Sequence, residues 1–212
     1  MSSDKSQQIN LSIQELLNDF SNSSIRKRRA LISSIEKRNG DLVQLGSSCL
    51  DHFDRDEDNW SAGWILQVIK RYQPDLLIKI LGDKTSSGWF NSPSSVDIDY
   101  GPLQNALLEE NFEEADFFTN ATLKKLAGSS AQSRGYIYFS EVDNIPFLDL
   151  VTIDRLWIAY SQGRFGFSIQ SRLLESLGGN YERLWPRIGW KNDGVWTRYP
   201  KSFDWSLNAP DG

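Results

Sequence analysis

Ile153-Asp154-Arg155-Leu156-Trp157-Ile158-Ala159-Tyr160-Ser161-Gln162-Gly163 is the stretch whose reading decides the fold. Ile153, Leu156, Trp157 and Tyr160 fall at i, i+3, i+4 and i+7, a spacing that stacks side chains on one face of an α-helix. They are therefore read as core, and Gly163 as the residue that ends the helix. Phe165 and Phe167 are expected to anchor the turn into a following helix, along which Ile169, Leu173, Leu174 and Leu177 continue inward. Gly163-Arg164-Phe165-Gly166 is not a phosphate loop, because the Lys-Ser/Thr pair and the preceding strand are missing. These segments are read as scaffold.

Upstream the same period recurs. Pro102 suits the first turn of a helix that carries Leu103, Ala106, Leu107 and Leu108. A partner helix is expected from Phe112 or Glu113 to Ala127, closed by Gly128, with Ala115, Phe118, Leu123 and Leu126 inward and Glu113, Glu114 and Asp116 opposing the dipole in its first turn. Nearer the N-terminus, Ser12-Ile13-Gln14-Glu15 has the form of a capping box ahead of Leu16, Leu17 and Phe20. A second helix is expected over 25–38, with Ala30, Leu31 and Ile35 inward and Asn39-Gly40 ending it in the left-handed conformation. Further helices are expected over 42–53, 60–72 and 74–81, where Trp60, Trp64, Ile65 and Val68 mark one face. Short connections make these a compact antiparallel bundle. From 82 to 101 the composition turns to Ser, Gly, Pro, Asn and Asp, a linker vocabulary with little to bury. The expected architecture is all-α: an N-terminal helical bundle over 1–82, a linker over 83–99 and a mostly helical domain over 100–212, the two halves separable.

Downstream of the deciding helix the chain reads Leu184-Trp185-Pro186-Arg187-Ile188-Gly189-Trp190-Lys191-Asn192-Asp193-Gly194-Val195-Trp196-Thr197-Arg198-Tyr199-Pro200, followed by Phe203 and Trp205. The rings alternate with Arg187, Lys191, Arg198 and Lys201, and flat faces beside cations suit a planar, acidic ligand. The alternative is that the rings fill a small core. Lys191-Asn192-Asp193-Gly194 and Pro200 break any regular period and put several rings on a loop, which favours a binding wall.

Composition narrows the function. A net charge of −5 and a pI near 5.0 argue against a nucleic-acid protein. The one basic run, Arg26-Lys27-Arg28-Arg29, is read as a solvated helix face. A lone Cys49 excludes an internal disulfide framework and permits a reducing compartment. No apolar run approaches the ~20 residues of a membrane helix, and residues 1–10 are polar with no apolar segment for secretion. Asp54, Asp56 and Asp58 begin like a calcium loop, but Asn59 and Ile65 stand where that loop needs Gly and Glu. Cys49 and His52 make no closed metal site; Cys49 is read as packed and His52 as exposed or hydrogen-bonded. After Tyr100 there is no His, Cys or Met, the usual haem ligands, and the carboxylates form no acid–base pair, so no catalytic residue is assigned and the protein is not read as an enzyme.

Three stretches together carry a family resemblance: Gly135-Tyr136-Ile137-Tyr138-Phe139-Ser140-Glu141-Val142, the run from Ile153 through Tyr160-Ser161-Gln162-Gly163-Arg164-Phe165-Gly166-Phe167-Ser168 to Gln170, and the Trp-rich segment. From about Tyr100 to Gly212 the chain resembles the genomes-uncoupled-four family, tetrapyrrole-binding accessory proteins of magnesium chelatase in cyanobacteria and plastids. The N-terminal bundle looks like the helical cap of cyanobacterial members. The resemblance implies an all-α fold with a cupped aromatic groove between loops, whose walls map onto Phe139, Trp196 and Tyr199. Trp190 and Phe203 join them as ligand-face candidates, with Arg198, Lys201 or Arg187 beside the propionates. It implies protoporphyrin IX or Mg-protoporphyrin IX as ligand, with no cofactor required, and the large porphyrin-binding subunit of magnesium chelatase as partner. It also implies a cytoplasmic place in a cyanobacterium, with peripheral membrane contact. The alternative is an interaction module or paralogue whose groove grips a protein or another tetrapyrrole such as a bilin. Family members continue past the Ala-Pro-x-Gly found here at Ala209–Gly212 with His-Leu-Pro and a basic segment lining part of the groove; the departure reads either as a trimmed C-terminus or as a paralogue with a reduced site, and both bear on the affinity and the propionate contacts.

Overall fold

Capping and apolar period set the first helices of the structure, a computed structural model that describes residues 12–84 and 86–212; the reading of residues 1–10 lies outside them. Helix α1 (Ile13–Asn22) starts on the expected capping box: the Ser12 amide donates to Glu15 Oε2 at 2.7 Å and the Glu15 amide to Ser12 Oγ at 3.2 Å. It buries Leu16, Leu17 and Phe20. Helix α2 (Ile25–Glu36) buries only Ile35, and its basic first turn is largely exposed, in keeping with a solvated face. Asn39-Gly40 does not terminate that helix in the expected way. The Asn39 amide donates to the Glu36 carbonyl at 3.0 Å, which satisfies a helix-end acceptor from a side chain, and the residue opens α3 (Asn39–Leu45). The left-handed residue comes later, at Gly46 with φ +58°, and the helix expected over 42–53 tightens there into a 3₁₀ turn, Gly46–Leu50. Cys49 is buried, which pushes its thiol up to about 11, while His52 is exposed.

Helices α4 (Trp60–Tyr72) and α5 (Pro74–Leu81) have the expected bounds. Helix α4 is apolar nearly all round, with Trp60, Ala62, Trp64, Ile65, Leu66, Val68 and Ile69 all buried, so it needs neighbours on every face. After it come α6 (Gly101–Leu108), α7 (Phe112–Ala127), α8 (Ser129–Arg134), a 3₁₀ turn at Phe139–Asn144, α9 (Phe147–Tyr160), α10 (Phe167–Ser176) and α11 (Tyr181–Arg187). A hairpin of two short antiparallel strands closes the order, β1 (Lys191–Asn192) and β2 (Val195–Trp196), with Lys191 opposite Trp196 and Asn192 opposite Val195.

The all-α expectation holds, but what joins the halves differs from it. Helix α4 packs on α9 so closely that a Cβ on Gly63 would stand 2.1 Å from the Ala159 carbonyl oxygen. The Gln67 amide donates to the carbonyls of Leu107 and Tyr160 at 3.0 and 2.8 Å, tying α4 to α6 and α9. One apolar core accordingly runs from Ile13 to Ala209. The 83–99 segment, expected to bury little, carries Trp89 and Phe90 at 4% and 2% exposure. Its backbone is held from a distance: the Gln104 side chain accepts from the Phe90 amide and donates to the Phe90 and Ser87 carbonyls, while Asp149 accepts from Ser94 Oγ, the Ser95 amide and the Tyr100 hydroxyl. Polar composition there reflects these partners rather than solvent.

Candidate functional site

A cavity of about 470 Å³ opens between α7, the α9–α10 corner and the segment that follows α11. That volume lies within the roughly 300–1,000 Å³ of small-molecule sites. Helix α7 contributes Phe112, Asp116 and Thr119, which its period places on one stripe. Trp157, from the helix read as pure scaffold, is the floor. Its ring lies 6.0 Å from Phe112 at an interplanar angle of 26°, and its Nε1 donates to Thr119 Oγ1 at 2.9 Å. With its one donor satisfied inside the protein, the indole presents apolar surface to the cavity. Phe165 meets Phe112 edge-on at 5.5 Å, and Phe167 extends the same wall.

The facing wall is built by the Trp-rich segment. Asp193 and Gly194, at φ +47° and +82°, form the two-residue turn that folds β2 back on β1. The Thr197 amide donates to the Trp190 carbonyl at 2.9 Å and its hydroxyl to the Gly189 carbonyl at 2.8 Å, which fixes the hairpin base. Trp196 packs on Trp185 at 4.8 Å, with the Lys191 ammonium 5.4 Å from the Trp196 ring. Farther on, Phe203 and Trp205 stack at 5.7 Å and Tyr199 meets both edge-on. The Tyr199 hydroxyl donates to Asp116 Oδ2 at 2.7 Å, bridging the segment to α7. Burial raises the pKa of both groups: the phenol is pushed up further by the carboxylate, whereas the phenol's hydrogen bond holds the carboxyl back.

Arg164 of the Gly-Arg-Phe-Gly run secures the end of this segment. It pairs with Asp211 at 2.6 Å and donates to the carbonyls of Leu207 and Ala209, while its own carbonyl accepts from the Gly212 amide at 2.9 Å. Gly166 must be glycine: at φ +144°, a Cβ would stand 2.6 Å from Asp154 Oδ1, the oxygen that accepts from the Ser168 amide.

Trp190, Trp196, Tyr199 and Phe203 therefore come together in one cavity. Phe139, Arg198 and Lys201 do not join them. Arg198 and Lys201 are exposed on the same segment outside the lining, and Phe139, 94% exposed, sits on the 3₁₀ turn beside the far end of α7. Arg187 borders a shallower hollow with Arg164, Arg183 and Pro210. The charged side chains lining the main cavity are Asp116 and Asp204, both acids, where the sequence suggested cations. Sequence reasoning missed Phe112, Asp116, Thr119, Trp157, Phe165 and Phe167 as lining; the signal was present in the Phe112–Asp116–Thr119 spacing, but Asp116 was explained by the helix dipole alone. Among the described residues no cluster of three His, Cys, Asp or Glu could hold a metal ion, and no helix is long and apolar enough to cross a membrane.

Every residue lining the cavity lies within 93–212, the span matched by the family model described as GUN4-like. The chain is 43% identical over 152 residues to a Ycf53-like protein of Synechocystis sp., covering 72% of this chain and 65% of that protein, just under two thirds. It is 35% identical over 113 residues to the chloroplastic tetrapyrrole-binding protein of Arabidopsis thaliana, covering 50% of this chain and 43% of that one. Among solved structures, GUN4 from Chlamydomonas reinhardtii aligns with a TM-score of 0.55 at 36% identity, over 57% of this chain and 82% of that chain. With its aromatic cavity contained in the matched span, this chain belongs to the GUN4-like family.

Proposed function

We propose that the cavity binds a tetrapyrrole and that the protein is a non-enzymatic carrier and regulator, holding protoporphyrin IX or Mg-protoporphyrin IX and stimulating magnesium chelatase through that enzyme's large porphyrin-binding subunit. The observation that carries the reading is the pair of aromatic walls, Trp196, Tyr199 and Phe203 facing Trp157 and Phe165, within the GUN4-like span of a chain that is similar to a protein named for tetrapyrrole binding. Affinity comes mainly from apolar contact with the macrocycle, at roughly 25 cal/mol per Å² buried, less the cost of association. Arg198 and Lys201, exposed beyond the rim, orient the propionates; such exposed pairs contribute about 0–1 kcal/mol each. The protein works in the cytoplasm, in peripheral contact with membranes.

A second reading, an interaction module, is favoured by one observation. Phe139 and Phe147, 94% and 80% exposed, stand with Tyr138 and Leu148 outside the cavity. A single experiment separates the two. Titration with protoporphyrin IX is expected to quench Trp emission with an affinity around micromolar, about −8 kcal/mol, and the porphyrin is expected to co-elute from a sizing column. An unchanged Soret band with no retention of porphyrin leaves only the interaction module.

A further inference from the structure

Asp116 is the unexplained group in this cavity. It stands in mid-stripe on α7 between aromatic Phe112 and Asn120, facing the Trp-rich segment. Tyr199 donates to its Oδ2 at 2.7 Å; Oδ1 has no protein donor, and the carboxylate no cation within ion-pair distance, among the described residues. Asp116 is half-buried, and a carboxylate partly withdrawn from water without a counter-charge disfavours the structure that holds it. An acid in such a place fits a ligand that brings an electropositive centre.

Resting on the tetrapyrrole reading above, we propose that Asp116 determines specificity between metal-loaded and metal-free rings, its carboxylate supplying an axial oxygen, directly or across one water, to the magnesium of the bound macrocycle. Magnesium is a hard cation that takes oxygen ligands in octahedral geometry, so a planar ring that fills four positions leaves axial sites for oxygen. A metal-free ring presents only two N–H groups at its centre, weaker partners for a carboxylate. Oδ2 keeps the Tyr199 hydrogen bond throughout, and no proton has to move. The other lining acid, Asp204, accepts from the Ser206 amide at 3.0 Å within an exposed turn and is already provided for.

The test compares Mg-protoporphyrin IX with metal-free protoporphyrin IX on the full chain, by Trp quenching and Soret position. The wild type is expected to favour the magnesium ring about tenfold. Asp116→Asn, of the same shape, is expected to bring that ratio to about one by weakening the magnesium ring alone, and to move the Soret band of that ring only. Tyr199→Phe keeps the aromatic wall and the carboxylate, and is expected to keep or increase the ratio. A wild type that binds both rings equally overturns the assignment while leaving the tetrapyrrole reading standing. So does Asp116→Asn with an undiminished ratio or an equal loss for both rings, or Tyr199→Phe that abolishes the preference. A wild type that binds neither ring overturns both.

Discussion

Two Trp residues of the same cavity carry different loads. Trp196 is 55% exposed on the two-residue strand β2, whereas Trp157 stacks on Phe112, donates to Thr119 and packs against the core. Trp196→Ala is therefore expected to weaken porphyrin binding several-fold with little change in melting temperature. Trp157→Ala is expected to reduce binding as well, and to cost about 3 kcal/mol of stability, the low end for emptying an aromatic site because the ring is only partly buried. Thermal melts of both variants beside porphyrin titrations check this; a Trp157→Ala protein as stable as the wild type contradicts the stacking role. What the sequence concealed here is that one side chain faces two ways. Helical spacing correctly put Trp157 on the inward face, and nothing in that spacing says that its far edge forms a cavity floor. The rings of the Trp-rich segment were easier to read, since Asp193-Gly194 and Pro200 rule out a regular core period.

Elements behaved as their local signals dictated wherever those signals were local. Helices α4, α5 and α7 have the expected limits because their apolar runs end at real boundaries, such as Gln73 before Pro74 and Gly128 after Ala127. Helix α8, Ser129–Arg134, was not foreseen; it is polar with a single buried residue, Ala131, and so carries no period to detect. The 83–99 segment was misjudged because the groups that hold it, Gln104 and Asp149, lie outside it in sequence. Burial pushes the Asp149 carboxyl up, but the hydrogen bonds from Ser94, Ser95 and Tyr100 outweigh it and hold its pKa below the ordinary value. A depressed pKa in the folded state contributes stability above the unfolded value, lost as pH falls through the folded one. Asp149→Asn is thus expected to destabilise the protein at neutral pH and to narrow that loss in acid, as urea midpoints against pH would record. A pH-independent difference contradicts the assignment. At the α4–α9 crossing, Gly63→Ala places a methyl against the Ala159 carbonyl and is expected to cost about 1–3 kcal/mol, as overpacking does. Full stability in that variant would show that the two helices do not approach as described.

Among the described residues, the main apolar core and the aromatic cavity divide the work. The core joins the N-terminal bundle to α6 and α9, so the full chain is expected to unfold in a single transition. The cavity draws only on residues from Phe112 onward. A fragment spanning 86–212 should therefore retain porphyrin binding within about tenfold, roughly 1.4 kcal/mol, but unfold at lower urea, because α6 and α9 lose the packing of α4 and the Leu107 and Tyr160 carbonyls lose the Gln67 amide. Loss of binding by a folded fragment would mean that the bundle supplies part of the site. The central claim is that the ligand lies between the Trp-rich segment and the Trp157 floor, and the eight Trp residues are natural reporters of it. In a ¹⁵N–¹H correlation spectrum titrated with protoporphyrin IX, the indole signals of Trp157, Trp190, Trp196 and Trp205 should shift or broaden, while those of buried Trp60, Trp64 and Trp89 stay in place. Shifts confined to Trp60, Trp64 and Trp89, with the four cavity indoles unmoved under saturating porphyrin, would contradict it.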